Sequence, residues 1–200
     1  GMKGFFYAEY LLSLIGSEKL GRPVKWVASR LESFVSDTHG REVSSEVSLA
    51  LNENGKFLGL KVESLAGMGA YLSSFSPYIP TLAALQVLGG VYKFPELFVD
   101  VKTVFTNAPT IDAYRGAGRP EAAYMLELII NKAALTLGIS QDDIRRINFI
   151  KESDLPYQNT PGSSFDSGDF EGTMEKAMAE ASWDSFKLRQ DKSNESGLLR

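Results

Sequence analysis

The stretch EVSSEVSLALNENGKFLGLKVESLA, residues 42–66, decides the fold class. Two extended runs, 42–51 and 56–66, flank Asn52, Glu53, Asn54 and Gly55, and a loop of that length and composition joins the arms of an antiparallel hairpin. Alternation of Leu58, Leu60 and Val62 against Phe57, Lys61 and Glu63 predicts one buried face. On the N-terminal side, Phe5, Ala8, Leu11, Leu12 and Ile15 recur near a 3.6-residue period, so residues 5–20 read as a helix. Gly21 supplies its left-handed cap, Pro23 blocks continuation, and residues 24–29 read as a strand.

On the C-terminal side the pattern breaks into glycine, serine and proline between Gly67 and Gly90, with a short helix over residues 79–88. Residues 97–106 read as a strand through Phe98, Val99, Val101, Val104 and Phe105. Pro120 suits the first turn of a long helix that runs to Leu137 and stops at Gly138. Its apolar content predicts burial nearly all round. Ser140 caps a further short helix, where Asp142 and Asp143 are most simply dipole partners and Arg145 and Arg146 surface charges. Residues 155–170 are irregular and long for a mere connection, which marks a candidate binding loop. Helical spacing resumes through Met174, Ala177, Met178 and Ala181 before a polar tail over 187–200. Strands interleaved with long helices around an antiparallel hairpin give an α+β fold, with mixed sheets packed by long helices.

Composition narrows the chemistry. The chain has no cysteine and one histidine, which removes disulfides, thiolate clusters and His-rich metal sites, so it offers no metal ligand set of its own. Residues 1–150 carry 15 basic and 15 acidic side chains, and the last 50 hold the whole acidic excess, 6 against 10. A balanced body argues against a nucleic-acid surface. No apolar run approaches a membrane span and no export signal is present, which points to a cytoplasmic setting. His39, in a polar turn before a strand, reads as structural because no second imidazole shares a metal with it. Asn194-Glu195-Ser196 matches the glycosylation sequon, which carries little weight without an export signal.

The densest signal is Asp112-Ala113-Tyr114-Arg115-Gly116-Ala117-Gly118-Arg119-Pro120-Glu121, between a strand and the start of the long helix. Glycines let backbone amides approach a ligand, a helix start offers unpaired N–H groups, and two arginines add fixed donors for an anionic or carbonyl-bearing group. It lacks the third glycine of the dinucleotide fingerprint and the Gly-Lys-Ser/Thr of a phosphate loop. Spacing alone leaves a purely structural turn as open as a ligand-binding one.

Residues 113–122 resemble the cofactor-binding loop of molybdenum hydroxylase large subunits, the family of xanthine dehydrogenase, aldehyde oxidase and aerobic carbon monoxide dehydrogenase. Matching segments follow in order: Gly1-Met2-Lys3-Gly4 resembles the end of a Gly-Gly-Phe-Gly loop, followed by Gly21-Arg22-Pro23-Val24-Lys25, Tyr92-Lys93-Phe94-Pro95 and Thr106-Asn107-Ala108-Pro109. The resemblance implies a pterin cofactor and its molybdenum held between several loops, largely by backbone amides. Ala113, Tyr114, Arg115, Gly116 and Ala117 would line it, the catalytic Arg115 guanidinium would point to substrate or its developing oxyanion, and Tyr157 would lie in the substrate pocket. Copper-bridged carbon monoxide enzymes place a cysteine where this chain has Gly116, and purine-oxidising enzymes carry a glutamate where it has Gly4, so neither activity is implied. Nothing in residues 171–200 resembles the Gly-Glu motif of the catalytic glutamate.

The resemblance therefore implies that residues 1–200 are part of a molybdopterin-binding domain truncated at both ends. The intact parent would hydroxylate an aldehyde or N-heterocycle with water as oxygen source and pass two electrons to iron–sulfur and flavin units. Without the remainder of the large subunit, the excerpt is expected to be inactive, to bind no cofactor, and to form a homodimer through apolar surface left bare. The alternative is a stand-alone interaction or scaffold module whose Gly-Arg loop contacts a protein or small anion.

Overall fold

In the computed structural model, which describes residues 6–160 and 162–198, a three-stranded sheet carries the fold. Strands β1 (Val43–Leu51) and β2 (Phe57–Gly67) form the expected antiparallel hairpin, and β3 (Glu96–Val104) adds parallel to β2. The sheet is thus mixed, in the order β1-β2-β3. The alternation in β2 holds for Leu60 and Val62, which are buried, but Phe57 is buried and Leu58 exposed. A register shift between Ala50 and Leu51 sets Leu51 opposite Phe57 and leaves Leu58 as an extra residue on β2. Such a bulge swaps the faces beyond it.

Helix α3 (Arg119–Leu137) lies across the hairpin and buries Ala122, Leu126, Ile130, Ala133 and Ala134. Its burial is one stripe rather than all round: Tyr124, Leu128 and Leu135 on the same helix are exposed. Helix α4 (Gln141–Asn148) follows, with the Ser140 hydroxyl accepting from the Asp143 N–H at 3.0 Å. Buried Asn148 ties it to the hairpin turn: its amide donates to the carbonyls of Gly55 (2.9 Å) and Ile144 (2.8 Å) and accepts from the Phe57 N–H (2.8 Å). Phe57 stacks on Phe94, and Tyr92 on Phe149, which closes the far end of the core.

Arg145 and Arg146 are not free surface charges. Arg145 donates to Glu127 and Asn131 on α3, while Arg146 joins Asp142 and Asp143 to Glu175 on α5 (Phe170–Glu180). Residues 24–29, expected as a strand, form none, since no described strand lies beside them to supply a ladder. They lead instead into α2 (Arg30–Ser36), started by a reciprocal cap in which Ser29 and Glu32 exchange backbone and side-chain bonds. The first helix, α1 (Ala8–Leu20), ends at Gly21 as expected but buries none of its residues. Residues 1–4, matched above to a glycine loop, lie outside the described residues. In the tail, α6 (Phe186–Glu195) is helical. No single helix among the described residues is long and apolar enough to cross a membrane.

Candidate functional site

The Gly-Arg segment forms a tight turn between the buried end of one extended segment and the start of α3. Its entry is anchored at Asp112, which is 1% exposed and accepts from the Ser73 hydroxyl and, at 2.6 Å, from the Ala113 N–H. Its exit is Gly118, the residue before α3, with φ +87°. The turn closes on itself through Ala117 N–H to the Tyr114 carbonyl (2.6 Å) and Arg119 N–H to the Gly116 carbonyl (3.2 Å).

The turn itself requires the two glycines. A Cβ on Gly116, at φ +90°, would stand 2.6 Å from the Pro120 ring, and one on Gly118 would stand 2.3 Å from the Ile79 carbonyl oxygen. Protein already fills the space where a side chain would stand at either glycine. What the turn leaves open is its other side. Tyr114, Arg115 and Gly116 are exposed, and their N–H groups donate to no protein acceptor among the described residues. The trans peptide plane fixes the sense of two of them. The Tyr114 carbonyl is taken by Ala117 and the Arg115 carbonyl by Arg41 Nη2 (2.8 Å), so the Arg115 and Gly116 N–H groups point the opposite way. The Arg115 guanidinium pairs with nothing among the described residues.

Arg41, which the sequence reading passed over, packs against this turn. Its guanidinium lies 4.7 Å from the Tyr114 ring centroid and 3.0 Å from Glu121 Oε2 on the first turn of α3. That carboxylate oxygen is buried and has no aligned hydrogen bond, so the pairing is ionic. His39 is structural as expected: it pairs in parallel with Ile111, and its ring Nε2 lies 3.1 Å from the Phe34 carbonyl. A cleft of about 490 Å³, lined by Phe34, His39, Arg41 and Tyr114 among others, opens beside the turn.

Tyr157 is half-buried in a separate small hairpin, β4 (Tyr157–Gln158) with β5 (Ser164–Phe165). That hairpin is tied to the core by Thr160 Oγ1 to the Phe94 carbonyl (2.7 Å) and Ser163 Oγ to the Gln86 carbonyl (2.8 Å). None of these bonds reaches residues 113–117, so the structure joins the five turn residues to one another but not to Tyr157. Asn159 Nδ2 in this loop is buried without an acceptor among the described residues. No three His, Cys, Asp or Glu side chains among the described residues converge as a metal site. Three amides with no protein acceptor among the described residues, beside an arginine, suit an oxygen-rich, anionic group.

Comparison with known proteins finds relatives along most of the chain. The sequence pattern of the molybdopterin cofactor-binding domain matches residues 1–149. The 6-hydroxypseudooxynicotine dehydrogenase complex subunit gamma of Paenarthrobacter nicotinovorans is 32% identical over 96% of this chain and 25% of its own length. The carbon monoxide dehydrogenase large chain of Hydrogenophaga pseudoflava is 32% identical over 95% of this chain and 24% of its own. The crystal structure of quinoline 2-oxidoreductase from Pseudomonas putida 86 superposes with a TM-score of 0.90 at 32% identity, over 98% of this chain and 25% of that one. This chain spans about a quarter of the length of these relatives.

Proposed function

The chain belongs to the molybdopterin cofactor-binding domain family, and on that premise we propose that its turn at residues 113–117 forms one wall of the cofactor site in a larger hydroxylating oxidoreductase subunit. The observation that carries this reading is the set of three N–H groups, of Tyr114, Arg115 and Gly116, that no protein acceptor among the described residues uses. Ala113 and Ala117 frame them. When bound, the molybdenum cofactor would supply oxidative hydroxylation of a carbon centre with water as the oxygen source, the two electrons of each turnover passing on to partner iron–sulfur and flavin units. The turn's part is to hold an anionic group by backbone amides, which adds no side-chain motion near it. Arg115 keeps a fixed positive donor on the exposed side, where it stabilises negative charge growing on a substrate oxygen. Tyr157 contributes to the substrate side from its separate hairpin, and the substrate class is an aldehyde or an N-heterocycle.

The cofactor site is completed by the remainder of the large subunit, so the isolated chain retains no molybdenum, does not turn over, and pairs with a second copy through its bare apolar helices. The setting is cytoplasmic. The test compares Arg115→Ala with Gly116→Val in the parent subunit. Arg115→Ala is expected to keep its molybdenum and lose about 100-fold to 1000-fold in turnover. Gly116→Val is expected to lose the metal, because a β-branched side chain at φ +90° and 2.6 Å from Pro120 breaks the turn. If Arg115→Ala loses its molybdenum as completely, or keeps full turnover with full metal, the arginine is a structural member of the turn and its assigned role is wrong.

A further inference from the structure

We propose that Arg41 is a positioning residue for the turn, a clamp that sets the direction of the Gly116 amide. This rests on reading the turn as the cofactor-facing element. Arg41 lies 74 residues before Arg115 and is delivered to it by main-chain pairing: the His39 N–H donates to the Thr110 carbonyl (2.9 Å), and the Asp112 N–H to the His39 carbonyl (2.8 Å). At that point the chain adopts φ +67° at Arg41, a conformation L side chains rarely take. The side chain that results spans three groups at once. One guanidinium nitrogen donates to the Arg115 carbonyl at 2.8 Å, another stands 3.0 Å from Glu121 Oε2, and the central carbon lies over the Tyr114 ring, 4.7 Å from its centroid.

The consequence follows from peptide geometry. The Arg115 carbonyl and the Gly116 N–H share one rigid trans plane and point in opposite directions. Holding the carbonyl on the Arg41 side turns the N–H to the open side. Glu121 matters because it keeps the guanidinium from swinging out to water, and it sits on α3, so the turn is referenced to the helix that packs the core. A lysine cannot substitute, since one ammonium on a flexible stem does not span the carbonyl, the carboxylate and the ring together.

The test uses the 200-residue chain and amide hydrogen exchange, with Arg41→Ala, Arg41→Lys and Arg41→Gly. The reporter is the Ala117 N–H, which bonds to the Tyr114 carbonyl only while the turn is closed. In Arg41→Ala its exchange is expected to rise at least tenfold, while the core amides of Val62 and Ile130 are unchanged. Arg41→Lys should recover less than half of that loss on a logarithmic scale. Arg41→Gly relieves the positive φ, so its urea midpoint should exceed that of Arg41→Ala while Ala117 exchanges as fast, which separates strain from the clamp. Should Arg41→Ala prove unfolded, Glu121→Gln carries the same test with a smaller rise. Unchanged Ala117 exchange in the folded variants overturns the proposal, and full rescue by lysine overturns the three-point geometry. A tenfold rise with unaltered molybdenum release from the loaded parent subunit supports the clamp and overturns the cofactor reading of the turn.

Discussion

Replacing Gly118 by alanine measures what the turn demands before any ligand is considered. The backbone there has φ +87° and ψ −25°, and an added Cβ would stand 2.3 Å from the Ile79 carbonyl oxygen and 3.1 Å from the Ala84 nitrogen. Both are backbone atoms of one helical segment, so relief requires that segment and the start of α3 to part by about 1 Å, since carbon–oxygen contacts settle near 3.3 Å. A left-handed conformation costs an L residue about 1–2 kcal/mol, and overpacking of a buried contact adds about 1–3 kcal/mol. The expected loss is about 2–5 kcal/mol in total. For a urea dependence of about 2 kcal/mol per molar, the unfolding midpoint falls by about 1–2.5 M. Gly21→Ala is the control, because its φ is +59° with nothing within 4 Å of the added atom. It should lose about 1 kcal/mol. If the two variants unfold at the same urea concentration, the Ile79 contact does not constrain the turn and the structural account of its glycines is wrong.

Asn148→Leu leaves the Phe57 N–H and the Gly55 and Ile144 carbonyls without their buried partner, and is expected to lower stability by about 3 kcal/mol in urea titration; a loss under about 1 kcal/mol would mean water replaces the side chain. Asp142 responds to acid: burial raises its carboxyl, but bonds from Arg146, its own backbone N–H and Ser140 outweigh this and hold it below its ordinary 3.8. A lowered folded value means the stabilisation is present above 3.8 and is lost as pH falls below it. Asp142→Asn should therefore flatten the dependence of the melting temperature on pH below about 4, and an unchanged slope contradicts the pairing.

The hairpin, the long helix and the stop at Gly138 were legible because each depends on local signals: a four-residue polar loop, a proline in the first turn, a glycine at φ +69°. Phe57 and Leu58 exchanged faces because a bulge depends on how two strands register, which alternation along one strand does not report. The strand expected at 24–29 failed for the complementary reason, since Val24, Trp26 and Val27 suit a strand but no strand among the described residues runs beside them to supply a ladder. The Ser29-x-x-Glu32 capping signature was present in the sequence and would have announced α2. At the site, the turn stood out by its glycines, while the contacts with Pro120 and Ile79 that require them appear only in the folded chain. Arg41 carried no signal of its own, because a partner 74 residues away becomes visible only once His39 is seen to pair with Ile111.

The central claim is that the amides of Tyr114, Arg115 and Gly116 face the cofactor, and the most direct measurement is their hydrogen exchange in the parent subunit with and without molybdenum cofactor. These N–H groups have no protein acceptor among the described residues, so they should exchange quickly in the cofactor-free protein. Loading is expected to slow all three at least tenfold while the Phe57 amide, already bonded to Asn148, does not change. Equal exchange at residues 114–116 in the loaded and cofactor-free states would show that the turn does not contact the group and would contradict the account.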